Sequence, residues 1–229
     1  MNRPAPLTAQ RGVVLWLLLI IVAMAGGYAF YRNANTQFTR SGQDNKLAIA
    51  LAQAKEAVIA YAVMDTTRPG RLLCPDLLGD GISPLLAGPE CAAYVGALPW
   101  KTLDVRDFQD DHGTRLQFAV HSLFGGRDRP INSETPTTMR IIAADGSVND
   151  DAVGLIIAPR GALDPPNGDG DDIFQVGKSA TDGDNDMIAV ITRQELMAAV
   201  EKRVANELRT CLGQHAAQNP LHTYPWPAS

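Results

Sequence analysis

Residues 13–31 read VVLWLLLIIVAMAGGYAFY, nineteen in a row without a charge, behind a short basic leader that ends Gln10-Arg11-Gly12. A helix needs about 20 apolar residues to cross a hydrocarbon core of about 30 Å, so the run predicts a transmembrane helix. Two other readings compete. A buried helix of a soluble domain passes the same count. A cleaved secretory signal is the stronger rival, because Arg3 and Arg11 supply a basic flank and Ala23-Met24-Ala25-Gly26 offers small residues for cutting. Against it, the run exceeds the roughly 7 to 15 apolar residues of a signal, and helix-compatible sequence resumes soon afterwards.

Beyond the run, Asn33 to Gly42 is polar, and then Lys46 to Met64 (KLAIALAQAKEAVIAYAVM) is rich in Ala and Leu. Leu47, Leu51, Ala54, Val58 and Tyr61 follow the spacing of one apolar helix face. Ile49, Ile59 and Val63 fall off that stripe, which predicts a helix with partners on two sides. If residues 13–64 form one helix, its 52 residues span about 78 Å, the first third in lipid and the last third against a head. Asp65-Thr66-Thr67-Arg68-Pro69-Gly70 should stop it, since neither Pro nor Gly continues a helix cheaply. The expected organisation is a leader 1–12, a membrane helix 13–31, an amphipathic helix 32–64 and a head 65–229.

The head holds 165 of the 229 residues, enough for one core. A net charge of −5 without a basic patch argues against nucleic acid as a partner. Weak alternation at Gly113 to Ser122 and stronger patterns at Thr137 to Ala143, Ala152 to Ala158 and Met187 to Ile191 predict strands, with Asp145-Gly146 a hairpin turn. Thr192-Arg193-Gln194-Glu195 reads as a capping box. It opens a helix over 193–212, with Leu196, Val200, Val204 and Leu208 as its apolar stripe and Glu201, Lys202, Arg203 and Glu207 mostly facing solvent. The fold class is therefore α+β: a long N-terminal helix carrying a small antiparallel β-rich head with a C-terminal helix.

Three cysteines and no CxxC or Cys/His cluster give no zinc signal. Cys74 and Cys91 lie in a Pro- and Gly-rich stretch suited to a disulfide on the export side, although two reduced buried thiols remain the alternative. Arg3 and Arg11 before the run are balanced by Arg32, Arg40 and Lys46 after it, so charge does not set orientation. The cysteines do, placing the N-terminus in the cytoplasm and the head outside. Cys211 is left over, packed or paired with something this chain does not contain.

Two acidic stretches place oxygen side chains at close spacing with Gly between: Asp164, Asn167, Asp169 and Asp171, and Asp182, Asp184 and Asp186. Such loops present hard ligands to Ca²⁺, although neither is an EF-hand, Arg193 standing where the second would need its bidentate Glu. Ordinary solvated turns are the alternative, and they account better for Asp76 and Asp80. Catalytic signals are thin: His112, His121, His215 and His222 show no metalloprotease spacing, and no nucleophile elbow or phosphate-cradling loop occurs. His112 beside Asp110 and Asp111 fits a hydrated turn.

The basic leader ending in Gly, the uncharged run starting at the next residue, the long helix and the cysteine-bearing head together resemble the type IV pilin and pseudopilin superfamily. More narrowly, ALAQAKEAVIAYA, RPGRLLCPD with GDG, GALPWKTL, INSETP, LIIAPRGAL and ITRQELMAAVEKRV are similar to motifs of a group of bacterial pilin-like proteins. That resemblance covers most of the chain. It implies cleavage by a prepilin peptidase between Gly12 and Val13, a bacterial inner-membrane site with a periplasmic head, and other pilins or pseudopilins and an assembly platform as partners. It also raises the expectation of Ca²⁺ in a late loop. Two departures matter: Val13 stands where Phe is usual, and Leu17 replaces the Glu that answers a neighbour's free amine. An unanswered amine in an apolar core costs on the order of several kcal/mol, which argues against a repeating subunit and leaves open a tip or initiating subunit or an uncleaved, pilin-derived anchor. Gly26-Gly27 would be a weak point in the helix or a close-approach site for another helix. The last helix and its Pro/Trp tail read either as a degenerate second copy of the helix-plus-loop unit or as an ordinary C-terminal helix with an anchored aromatic tail. The competing functions are a single-pass membrane protein with a periplasmic binding head, and an anchored hydrolase using clustered carboxylates.

Overall fold

The computed structural model describes residues 20–22, 24, 44–84, 90–110, 113–126, 130–143, 145–159, 172–176 and 186–218. The chain divides into two units, Met1–Lys46 and Leu47–Ser229. In the first, Ile20, Ile21, Val22 and Met24 are helical and well exposed, the surface a helix offers to lipid or to a partner. A continuous helix over 13–64 falls outside the described residues.

The second unit is an α+β head. Helix α1 (Asp44–Met64) is the one described helix long and apolar enough to cross a membrane by length and composition. Its packing is that of a core helix. Leu47, Leu51, Ala54, Val58 and Ala62 are buried in one stripe, while Ile49 and Met64 are 58% and 73% exposed on the opposite side. Ala62, not Tyr61, completes the stripe, because it lies one further i+4 step from Val58; Tyr61 points outward. Ile59 and Val63 flank the stripe, so the helix has a partner along one broad face rather than on two sides.

The stop after α1 is built as its sequence requires. Gly70, at φ 93°, reaches back to donate its N–H to Ala62 O at 2.9 Å. Asp65 Oδ1 accepts from the N–H groups of Thr67 (2.9 Å) and Arg68 (3.0 Å), and Asp65 Oδ2 pairs with Arg71 Nη2 at 3.0 Å. Burial alone would raise the Asp65 carboxyl, but these backbone donors and Arg71 outweigh it and hold it below its ordinary value.

The strands are β1 (Val95–Ala97), β2 (Gln117–Val120), β3 (Met139–Ile142), β4 (Val148–Ala158), β5 (Ile173–Gln175) and β6 (Met187–Thr192); the short helix α2 (Ser122–Gly125) follows β2, and helix α3 (Arg193–Gln218) ends the described chain. Strand β4 is the spine. Ala152 faces Met139 of β3 and Thr192 of β6, and Gly154 faces Val120 of β2 and Ile191 of β6. A residue has one neighbour on each side, so β6 runs along one edge of β4 while β2 and β3 lie end to end along the other. These two strands point the same way and form one broken strand, interrupted by the excursion 121–138. On their far side β1 pairs antiparallel with β2, and β5 pairs parallel with β3. The sheet is thus mixed, not purely antiparallel as expected, because β5 enters from the end of a long connection instead of a hairpin.

Ala152 to Ala158 is buried at every position, as a strand covered on both faces must be. A register shift between Ala152 and Gly154 re-phases the alternation. Val153, Ile156 and Ala158 then meet α1, Phe118, Phe124, Leu196 and Val200, while Ala152, Leu155 and Ile157 join Met139, Ile141 and Phe174 on the other face. Among the described residues that second cluster is drawn from the strands and Val176, so the sheet curls over its own face.

Thr192 Oγ1 caps α3 by accepting from Glu195 N at 3.1 Å. Glu195 Oε2, expected to reach back to the cap, instead lies 2.7 Å from Lys55 Nζ of α1, and Asp151 Oδ2 accepts from Gln194 N. Helix α3 runs to Gln218, six residues beyond the expected end at 212. Leu196, Met197 and Val200 are buried, but Val204 and Leu208 are exposed: the stripe continues after the body it packs on has ended.

Candidate functional site

The strand break between β2 and β3 is closed by one imidazole. His121 follows β2 directly, is 3% exposed, and donates its backbone N–H to Val153 O of β4 at 2.9 Å. Its Nδ1 lies 3.3 Å from Leu123 N at the start of α2, which makes it the cap of that turn. Its Nε2 lies 3.1 Å from Thr138 N and 3.0 Å from Thr138 Oγ1, at the threshold of β3. Thr138 Oγ1 in turn donates to Asp172 Oδ2 at 3.1 Å, just ahead of β5. Asp172 holds a left-handed backbone (φ 59°), which Asp tolerates, and its carbonyl accepts from Arg140 N. Burial of the ring lowers the His121 pKa from its ordinary value, and Asp172 partly opposes this.

His, Thr and Asp here are ordered differently from a nucleophilic triad. In a triad the carboxylate orients the imidazole, which then deprotonates the hydroxyl. Here the carboxylate accepts from the hydroxyl and the imidazole, with one lone pair, accepts from one backbone N–H, an order suited to holding a loop.

Between the two ends pinned by His121, the excursion carries an open cleft of about 480 Å³ lined by Leu123, Pro130, Asn132, Glu134, Thr135 and Pro136. Asn132 Oδ1 accepts from Glu134 N at 2.9 Å, and Thr135 Oγ1 accepts from Asn132 N at 2.9 Å. Arg193 ties this wall to the head of α3: Nη1 donates to Thr135 O at 3.2 Å, and Nη2 lies 2.9 Å from Asp151 Oδ1.

The cysteine pair is a disulfide, Cys74–Cys91, with a Cα–Cα distance of 5.5 Å. It closes the loop organised by Asp76, which is 2% exposed and accepts from the N–H groups of Leu78 and Gly79 through Oδ1 and of Gly81 through Oδ2. Asp76 is the centre of a turn, and Asp80 is a turn residue that accepts from Ile82 N. Asp110 closes another turn by accepting from Thr114 N at 2.7 Å. Cys211 is a free, exposed thiol, not packed.

Arg203 is not solvent-facing as its sequence position suggested. Its Nη1 donates to Asp65 O at 3.0 Å and to Val63 O, capping the C-terminus of α1, while Nε pairs with Glu207 Oε1 at 2.8 Å.

Of the acidic calcium candidates, only Asp186 is described. It is 6% exposed and leads straight into β6. Asp164, Asn167, Asp169, Asp171, Asp182 and Asp184 lie outside the described residues, as do the processing residues Gly12 and Val13 and the histidines 112 and 222. Among the described residues no group of three or more His, Cys, Asp or Glu side chains is placed to hold a metal. In comparisons with protein-family models, curated proteins and solved structures, nothing matches this chain.

Proposed function

We propose that this chain is a non-enzymatic structural subunit of the type IV pilin or pseudopilin kind, anchored once in a bacterial inner membrane with its head in the periplasm. The observation that carries the reading is α1. A helix buried along one face in the head comes next in sequence after the uncharged run 13–31, which supports a head that follows an apolar N-terminal segment. The disulfide adds support, because such a bond persists in an oxidising compartment. Leu17 narrows the position to a tip or initiating one, where no subunit ahead needs an answering carboxylate. Its partners are then other pilin-like subunits and the inner-membrane platform that assembles them.

Cys211 offers the topology test, being free and exposed on α3. In intact spheroplasts a membrane-impermeant maleimide should label it, and the Cys211→Ser variant should give no signal. Labelling that requires lysis would overturn the periplasmic head.

The acidic loops extend the proposal to one Ca²⁺ held by Asp182, Asp184 and Asp186, an oxygen-only set suited to a hard cation. Adding Ca²⁺ should raise the melting temperature of the wild type and leave that of Asp182→Ala/Asp184→Ala unchanged. Equal shifts in both proteins would remove the site.

A further inference from the structure

We propose that the distal half of α3 pairs with the same segment of a second copy of this chain, antiparallel and about a two-fold axis at Leu208. Beyond Arg203, which caps α1, no residue from Val204 to Gln218 is buried, so this half owes nothing to a core within the chain. Isolated helices of about 12 to 15 residues are marginal in water. Gly213, with nothing within 4 Å of where a Cβ would stand, weakens this one further. A segment of this kind gains from a partner.

One face of the helix shows what that partner must be. At about 100° per residue, Val204, Ala205, Leu208, Cys211 and Leu212 fall on the same side. Val204 and Leu208 are 42% and 57% exposed, Cys211 is exposed, and Ala205 and Leu212 are half-buried. The face itself carries no charge. Glu201, one turn before it, and His215, one turn after it, close its two ends, and both are exposed.

A two-fold axis at Leu208 sets residues equally far before and after it opposite one another. Leu208 then meets the copy's Leu208, Val204 the copy's Leu212, Ala205 the copy's Cys211 and Glu201 the copy's His215. Large side chains meet large, small meet small, and a carboxylate meets an imidazole whose N–H can donate to it, each of the unlike contacts being made twice. A parallel pair would instead set Glu201 against Glu201 at one end, like charge against like. It is this agreement of size and charge within one segment that selects a second copy as the occupant.

The same register accounts for Cys211 as a free thiol. Its own mate lies six residues away along the antiparallel pair, about 9 Å of helix rise, beyond the Cα separation a disulfide spans. From Glu201 to His215 the contact is one helix pair about 22 Å long, short of the roughly 800 Å² per partner of a stable complex. The pair is therefore reversible, and reagents reach the thiol in the separated form. It needs two copies of the chain and nothing of a filament.

The test is oxidative cross-linking of the full chain in detergent with copper phenanthroline, read as dimer on non-reducing gels. Ala205→Cys, with the native Cys211 in place, should raise the dimer by about fivefold or more over the wild type. Asn206→Cys puts the new thiol on the far side of the helix and should stay at the wild-type level. Ala205→Cys/Cys211→Ser should lose the band, because each new thiol then faces a serine. Adding Glu201→Lys to Ala205→Cys should lower the dimer about threefold, and adding His215→Glu to that should restore it. An Asn206→Cys band equal to that of Ala205→Cys overturns the pairing. A band that is strongest in the wild type, that survives Cys211→Ser, or that ignores the charge exchange overturns the antiparallel register.

Discussion

His121 sets a pH dependence on the stability of the head. Its folded pKa lies below the ordinary value of 6.5, with burial as the main cause. Below about pH 6.5 the unfolded chain binds a proton that the folded chain refuses, so this residue's contribution is complete above that value and is lost as pH falls through the window. Urea denaturation at pH 7.5 and 5.0 should show a lower midpoint at the acid end, and His121→Asn should show a smaller drop. An equal drop in both would place the acid sensitivity elsewhere. None of this was legible in the sequence, where His121 is a lone histidine after a weak strand pattern. Its role arises because residue 138 returns to the line that residue 120 left, a coincidence in space with no signature in spacing. Asp76 was legible as a turn residue, because an Asp before Gly79-Asp80-Gly81 accepts from the N–H groups of its own loop.

At the scale of elements, the two sides of α1 make opposite predictions. Leu51 is 3% exposed in the core, and Leu51→Ala should cost about 2 to 5 kcal/mol. Ile49 is 58% exposed, and Ile49→Ala should stay within about 0.5 kcal/mol. Thermal or chemical melts of the two variants check this, and equal losses would mean that both faces are covered and that α1 is not the one-sided helix described. Arg203 binds the far end of the same element. Arg203→Ala should destabilise by about 1 to 3 kcal/mol through the carbonyls of α1 it leaves unanswered, read as a lower urea midpoint with an unchanged slope. Strands β4 and β6 were readable because each carries an apolar run rich in β-branched residues, and β3 because its buried and exposed residues alternate ahead of the Asp145-Gly146 turn. Strands β1 and β5 were not, since three residues carry no period and both exist by pairing with an edge already formed. The capping box named the start of α3 correctly, but Lys55 on another helix drew its Glu away.

For the whole molecule, the disulfide is the constraint on the head that can be tested directly. The bond closes a sequence separation of 17 residues, and reducing it should cost about 3 kcal/mol by restoring freedom to the unfolded chain. A melt of the full chain with and without reductant reads this directly. If the melting temperature is unchanged, the Asp76 hydrogen bonds hold that loop unaided. The α+β class of the head was visible from periodicity, whereas the curl of the sheet depends on the register shift at Gly154, which no local pattern announces. We propose that the run 13–31 is a processed pilin-type helix. Intact-mass measurement of the protein purified from a host with a prepilin peptidase decides this: a chain that begins at Val13 is the expected result, and a mass that retains Met1 rules processing out.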